Sequence, residues 1–461
     1  MQVENDFSKG SVTKNIMNLA APMILAQLVN VLYSIVDRIF IGRMPGDAFL
    51  ALTGIGICLP IISMVMAFAN LIGIGGAPLC SIERGRQNNY EAEKIMGNSF
   101  FMLVLIGIFL TIIGLIIKNP MLYLFGASEM TFPYANQYVT IYLLGNIFVM
   151  ISLGMNPFIN AQGFGRIGMM TVILGAVVNI ILDLIFIFIL NMGVQGAALA
   201  TIISQSVSAI WVLKFLTGEK AILKLKKSGF RLKKERIKRI LALGTSGFVM
   251  KFTNSVVQVV CNTTLQLYGG DLYVGIMTVI NSVREFLTLP VSGLTNGAQP
   301  VIGYNYGAHK YKRVKSCIRF TTITSITYNS LCWILIQSFP AFFIRIFNND
   351  LEVIRTGIPM MRLFYAGFFM MALQFTGQTT FVALGKAKHA VFFSTFRKLI
   401  LVTPLVIILP RFFGLGSSGV FLSEPISQVL SGTACFTTML FAVRKEIKEN
   451  SKANTQDEHS G

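Results

Sequence analysis

Twelve apolar stretches succeed one another between Lys14 and Arg444, at 16–39, 50–73, 95–117, 133–154, 168–190, 196–216, 240–262, 273–299, 317–340, 353–375, 389–410 and 419–443. About 20 apolar residues is the length an α-helix needs to cross the hydrocarbon core of a bilayer. In lipid every backbone N–H and C=O must be satisfied within its own segment, so these stretches read as helices. They occupy well over half of the chain, which leaves short loops and no room for a soluble domain. The predicted fold is an all-α polytopic membrane protein of twelve transmembrane helices. Composition agrees: 54% of residues are hydrophobic and 13% charged, where a soluble chain carries about 25% charged residues. The first stretch is too long for a signal-peptide core and is kept as a membrane helix.

The net charge of +19 would suit a nucleic-acid binder, but its placement argues against that partner. With a cytoplasmic N-terminus, 28 of the 39 Lys and Arg fall on the cytoplasmic side and five opposite, Arg43, Lys118, Arg345, Arg355 and Arg411. This is the positive-inside distribution, and it predicts a multi-pass protein of the cell membrane with both termini cytoplasmic. Eleven basic residues crowd into Lys214–Arg239, midway along the chain. That run is expected to set topology and to meet anionic lipid headgroups. Six cysteines without a C-x-x-C spacing and three scattered histidines suggest neither a disulfide framework nor a metal or catalytic cluster.

Shifting the sequence on itself by 222 residues brings Pro78 onto Pro300, Gly85 onto Gly307, and residues 161–166 onto 383–388, while Gln205 meets Gln428 at 223 and Gly46 meets Gly270 at 224. Each half holds six helices, an even number, so the two halves enter the membrane from the same side as parallel repeats. The expected organisation is a cytoplasmic N-tail (1–14), an N-lobe (15–217), a basic linker (218–238), a C-lobe (239–444) and a cytoplasmic C-tail (445–461). Two parallel bundles around a central cavity suit alternating access, with the site near the midplane.

Charges at membrane depth are costly and mark candidate functional positions. Asp37 lies near the outer end of the first stretch, next to Arg38. Asn179 and Asp183 stand four apart on one face of the otherwise apolar fifth stretch, where an amide oxygen and a carboxylate can hold a small cation or a proton, or can bond a neighbouring helix. Thr201 and Gln205 make a second polar pair on the sixth, and the short connection makes these two helices antiparallel neighbours. Pro22 removes a backbone bond inside the first helix and is a candidate hinge. Gly73-Ile74-Gly75-Gly76-Ala77 lacks the strand and the Gly-Lys-Ser/Thr of a phosphate loop and reads as close helix packing or a break in the helix. Tyr33, Gln205, Gln258 and Asn262 are candidates for lining a substrate cavity. In the second half Cys261 and Leu405 stand where the repeat would place Asp37 and Asp183. Its own buried charges, Lys251, the Arg284–Glu285 pair, Arg362, Arg397–Lys398 and Glu424, are expected to be mostly structural.

Pro22 with Leu32–Gly42, Asn160-Ala161-Gln162-Gly163, Gly175–Asp183 and Gly193–Thr201, taken in order, resemble the multidrug and toxic compound extrusion (MATE) family, in its MepA-like bacterial branch. The resemblance spans about Asn15 to Arg444. It implies two six-helix lobes open outward in a V and export of cationic or amphipathic small molecules in exchange for H+ or Na+, without a cofactor and as a monomer. It also implies an ion site of Asp37, Asn179, Asp183 and Thr201, with Pro22 bending the first helix. The acids of a C-lobe ion site found elsewhere in that family have no counterpart, since Lys251 and Arg362 occupy those helices. A flippase of lipid-linked saccharides, or an exporter of an endogenous metabolite, is the alternative reading. A membrane-embedded enzyme is a remote one, because no nucleophile or paired-acid motif is visible at membrane depth.

Overall fold

The computed structural model describes residues 6–44, 48–347 and 349–459, without the side chains of 49, 251, 255 and 447–459. Gly46 and the Lys251 side chain, both singled out above, lie outside the described set. Among the described residues the chain is helical, with no strand. The membrane helices are α1 (Val12–Gly42), α2 (Ala48–Gly85), α3 (Asn89–Leu124), α4 (Phe132–Leu144 and Asn146–Ala161, bent by 58° between them), α5 (Gly165–Asp183 continuing as a π-helical Leu184–Ile189) and α6 (Gly193–Thr217). A continuous run Lys234–Gly307 is broken by Gly270, whose φ of 65° and ψ of −163° leave helical space, into α7 (234–269) and α8 (271–307). Then follow α9 (Tyr311–Ser338), α10 (Leu351–Ala383), α11 (Ala387–Phe412) and α12 (Gly416–His459). Ten of the apolar stretches of the sequence fall inside one of these twelve helices, and 168–190 and 317–340 overrun theirs by one and two residues. In α9 four cations, Lys312, Arg313, Lys315 and Arg319, crowd the first turns.

The repeat is visible in the backbone. α2 ends at Gly85 and α8 at Gly307, α3 starts at Asn89 and α9 at Tyr311, and α5 starts at Gly165 and α11 at Ala387. The positive-φ turn residues recur with the same spacing of 222, Gln87 with His309 and Gly163 with Gly385. Each half therefore builds the same six-helix unit.

The chain forms two compact units. One runs from Met17 to Phe248 with the segment ending at Lys9; the other comprises Gly10–Ile16 and the chain from Val249 onward. In the first, glycines let helix backbones touch. A Cβ on Gly75 of α2 would sit 2.1 Å from the Ile240 carbonyl of α7, one on Gly73 would sit 2.8 Å from the Gly154 carbonyl of α4, and one on Gly76 would strike Ser99 and Phe158. The Gly73–Gly76 run is thus a three-way helix crossing, as small-residue stripes are in membranes. Large apolar side chains such as Leu105, Ile112 and Ile116 of α3 stay exposed, as lipid-facing positions do.

The basic run before and into α7 is strapped to the first turns of α3. Asn98 Nδ2 donates to the carbonyls of Gly229 (2.7 Å) and Arg231 (3.0 Å), and its Oδ1 accepts from the Lys233 N–H at 3.0 Å. Arg236 forks onto Glu91 with two bonds of 2.7 and 2.6 Å, and Lys226 pairs with Glu93 at 2.8 Å. Several of these cations therefore answer glutamates of the same unit rather than standing free toward lipid headgroups. In the second half, Arg284 pairs with Glu424 at 3.3 Å and not with its neighbour Glu285, which is exposed; adjacent helix residues point in different directions.

Candidate functional site

Four helices of the first unit bring polar side chains to one place. α1 supplies Tyr33 and Asp37, α5 supplies Asn179 and Asp183, α6 supplies Thr201, and the first segment of α4 supplies Tyr138 and Tyr142. On three of these helices the two residues are four apart, which puts them on one face. α5 and α6 are held together along their length: Ser208 Oγ donates to the Thr171 carbonyl at 3.1 Å, and Cβ atoms on Gly175 and Gly196 would crowd Ser208 Oγ (2.6 Å) and Phe186 (3.0 Å). That register sets Thr201 opposite Asn179.

The carboxyl groups of Asp37 and Asp183 meet in direct side-chain contact. Asn179 and Asp183 are fully buried and Thr201 nearly so. With its amide turned to suit the network, Asn179 donates to Asp183 Oδ2 at 2.7 Å and its oxygen accepts from the Thr201 N–H at 3.2 Å. The hydroxyls of Tyr33 and Tyr138 approach the Thr201 side chain, which itself donates to the Ala197 carbonyl at 3.0 Å. One carboxylate oxygen on each side, Asp37 Oδ1 and Asp183 Oδ1, is buried without a donor among the described residues. Two bare carboxylates 4 Å apart repel by about 4 kcal/mol at an effective dielectric of about 20. Such a pair is neutralised by a shared proton or by a small cation, and the oxygens of Asn179 and Thr201 are cation ligands of the oxygen class that Na+ takes.

Directly after Asp183 the α-helix widens into the π-helical Leu184–Ile189, a local irregularity common at functional sites. Arg38 points to the exposed side. Tyr33, expected to line a substrate cavity, stands beside this cluster. Gln205 lies one turn beyond Thr201, half-buried, with Oε1 unpartnered among the described residues. Pro22 is buried within α1, 15 residues before Asp37. Gln258 and Asn262 belong to the second unit, where Gln258 Nε2 donates to Asn262 Oδ1 (3.1 Å) and Asn281 donates to Gln258 Oε1 (3.3 Å). Tyr138 and Tyr142, ring centroids 6.3 Å apart, are members that the sequence reading missed. Their signal was present, since two tyrosines four apart inside an apolar stretch carry hydroxyls that need partners when buried.

The sequence profile of the MatE family matches residues 22–185 and 248–408, covering α1 to α5 and most of α7 to α11. The chain belongs to the MatE family. Among curated relatives, the multidrug export protein MepA of Staphylococcus saprophyticus is 26% identical over 428 residues, 93% of each chain, and MepA of Staphylococcus aureus (strain MSSA476) is 24% identical over the same coverage. The fold matches that of a MATE crystal structure in the bent conformation, with a TM-score of 0.91 at 20% identity over 98% of this chain and 99% of that one. A transporter of the MOP superfamily from Pyrococcus furiosus gives 0.88 at 20% identity over 96% and 98%. As a MatE member the chain has the twelve transmembrane helices in two repeats that define the fold.

Proposed function

We propose that this protein is a secondary multidrug exporter of the cell membrane, which moves cationic or amphipathic small molecules outward against H+ or Na+ by alternating access. The observation that carries the reading is the contact between Asp37 and Asp183 from two different helices, with an oxygen on each that has no donor among the described residues. The relatives named as multidrug export proteins support the cargo class. Lobes at 15–217 and 239–444 joined by the 218–238 linker, cytoplasmic termini and a monomeric state complete the proposal.

A proton or Na+ arriving from outside joins Asp37 to Asp183 and so ties α1 to α5. Loss of the ion leaves two facing carboxylates, whose repulsion drives the helices apart. α1 can respond because Pro22 leaves one of its intrahelical bonds unmade. Asn179 and Thr201 hold Asp183 in place, so the change is taken up by Asp37 and its helix. Drug and ion then prefer different positions of α1, and two ligands with opposite preferences exchange across one equilibrium.

The test is ethidium efflux from drug-sensitive cells carrying Asp183→Asn, followed by proteoliposomes with proton and sodium gradients imposed separately. Gradient-driven efflux collapses in the variant at normal expression if Asp183 couples transport; retained efflux removes it from the mechanism. Which imposed gradient drives wild-type efflux identifies the ion.

A further inference from the structure

The second unit holds a charge cluster opposite in sign to the first. Arg284 of α8, and Arg397 and Lys398 of α11, converge on one carboxylate, Glu424 of α12: Arg284 at 3.3 Å, Lys398 at 3.7 Å, and Arg397 in hydrogen-bond contact. Glu424 and Lys398 are buried. The neighbours Arg397 and Lys398 reach the same partner because they sit in a π-helical stretch, Phe396–Val402, whose wider turn brings consecutive side chains closer in direction. The remaining described carboxylates of this unit do not join them. Asp271 accepts from Gln266, Asp350 and Glu352 lie at the start of α10, Glu446 pairs with Lys386, and Glu285 is exposed.

Three cations therefore share one anion. Even an uncharged Lys398 would leave two guanidinium groups, which do not deprotonate, against Glu424. Donors are also left over: the buried Arg397 Nε has no partner among the described residues, and Lys398 Nζ comes no nearer to Glu424 than 3.7 Å. Both of the cavities that flank the cluster are lined by Lys398, Arg284, Asn254 and Glu424. One, of about 150 Å³, adds the amides of Gln258 and Asn281; the other, of about 180 Å³, adds Arg397 and Gln378. Both are smaller than the roughly 300–1,000 Å³ of a drug pocket, so each suits a charged group rather than a whole drug. Buried surplus charge without a counter-ion is costly. We infer that this cluster in the second unit is an oxyanion-binding site, which takes a phosphate or carboxylate group through Lys398, Arg397 and the cavity amides.

The inference is independent of the coupling mechanism, and its test is binding rather than efflux. The full chain is placed in phosphatidylcholine nanodiscs and titrated with inorganic phosphate or benzoate against chloride at fixed ionic strength, with heat and unfolding midpoint as readouts. A second arm uses discs containing phosphatidylglycerol and measures the lipid that remains with the purified protein. Saturable binding of phosphate or benzoate, weakened at least tenfold in Lys398→Met and in Asn281→Leu, supports a free oxyanion as ligand. Phosphatidylglycerol retained by the wild type and lost in both variants supports a lipid headgroup. Lys398→Met leaves Glu424 two arginine partners, and Asn281→Leu changes no charge, so one folded variant suffices for either readout. Absence of saturable binding and of selective lipid retention, or binding that both variants preserve, would overturn the proposal.

Discussion

Replacing Gly75 by alanine tests the helix crossing on which the first unit is built. The new Cβ would lie 2.1 Å from the Ile240 carbonyl oxygen and 3.0 Å from the Gly244 nitrogen, both backbone atoms that cannot swing away. Real Cβ contacts stay above 3.0 Å, so α2 and α7 must part by at least the difference, about 0.9 Å. A gap of 0.5–1 Å forfeits a quarter to a half of a contact worth about 0.1–0.2 kcal/mol, and some 40 atom pairs along a crossing would lose about 2 kcal/mol. Overpacked cores lose about 1–3 kcal/mol by the same route. The better helix propensity of alanine returns up to about 1 kcal/mol, leaving Gly75→Ala destabilised by roughly 1–2 kcal/mol. Gly56 lies in the same helix with nothing within 4 Å of its would-be Cβ, so Gly56→Ala keeps the propensity gain alone. Thermal unfolding of both variants in one detergent, followed by size-exclusion of the surviving monodisperse fraction, should lower the midpoint for Gly75→Ala and hold or raise it for Gly56→Ala. Equal midpoints for the two would refute the packing argument.

Three further outcomes follow from other contacts. Glu424→Gln strands the buried Lys398 and two partly buried arginines and should cost about 3–5 kcal/mol, seen as a large drop in folded yield and unfolding midpoint; an unchanged midpoint would show that the cations are balanced elsewhere. Arg236→Lys keeps the charge facing Glu91 but not the two parallel bonds, so a loss of about 1 kcal/mol that shrinks at high salt is expected in denaturation at two ionic strengths. Tyr138→Phe removes a hydroxyl beside Thr201, and the coupling-ion concentration for half-maximal efflux in proteoliposomes should move by roughly two- to tenfold, as for one hydrogen bond of about 0.5–1.5 kcal/mol. An unmoved value would place Tyr138 outside the site.

Much of the helix count could be read from the sequence because lipid imposes a rule on every residue of a span. The bend in α4 between Leu144 and Asn146 and the break at Gly270 left the twelve stretches recognisable, although each alters where a helix begins or how it runs. The 222-residue repeat was equally open, since the turns that end helices need residues that tolerate positive φ, and Gly163 and Gly385 supply it at matching places. The glycines at 73, 75 and 76 pointed to close packing or to a break in the helix, and α2 runs unbroken through them with other helices packed against it. Four of the clustered residues, Asp37, Asn179, Asp183 and Thr201, stood out as polar groups in apolar surroundings. Tyr33 did too, as a polar group inside an apolar stretch.

What stayed hidden depends on which faces meet. Tyr138 belongs with the carboxylates only because α4 packs where its hydroxyl reaches Thr201, and Tyr142 follows one turn on, its ring 6.3 Å from that of Tyr138. Arg284 and Glu285 are neighbours in sequence, yet in three dimensions Arg284 meets Glu424, 140 residues away, together with Arg397 and Lys398. The linker's lysines and arginines read as free positive charge along the sequence, and Glu93 and Glu91 of α3 claim Lys226 and Arg236. The sequence alone determined that the chain lies in a membrane, how many times it crosses and that it is built twice, because bilayer thickness and positive-φ turns act locally along the chain. Which charges answer which was decided by tertiary structure, because hydrogen bonds and ion pairs depend on distances of a few ångströms between helices far apart in sequence.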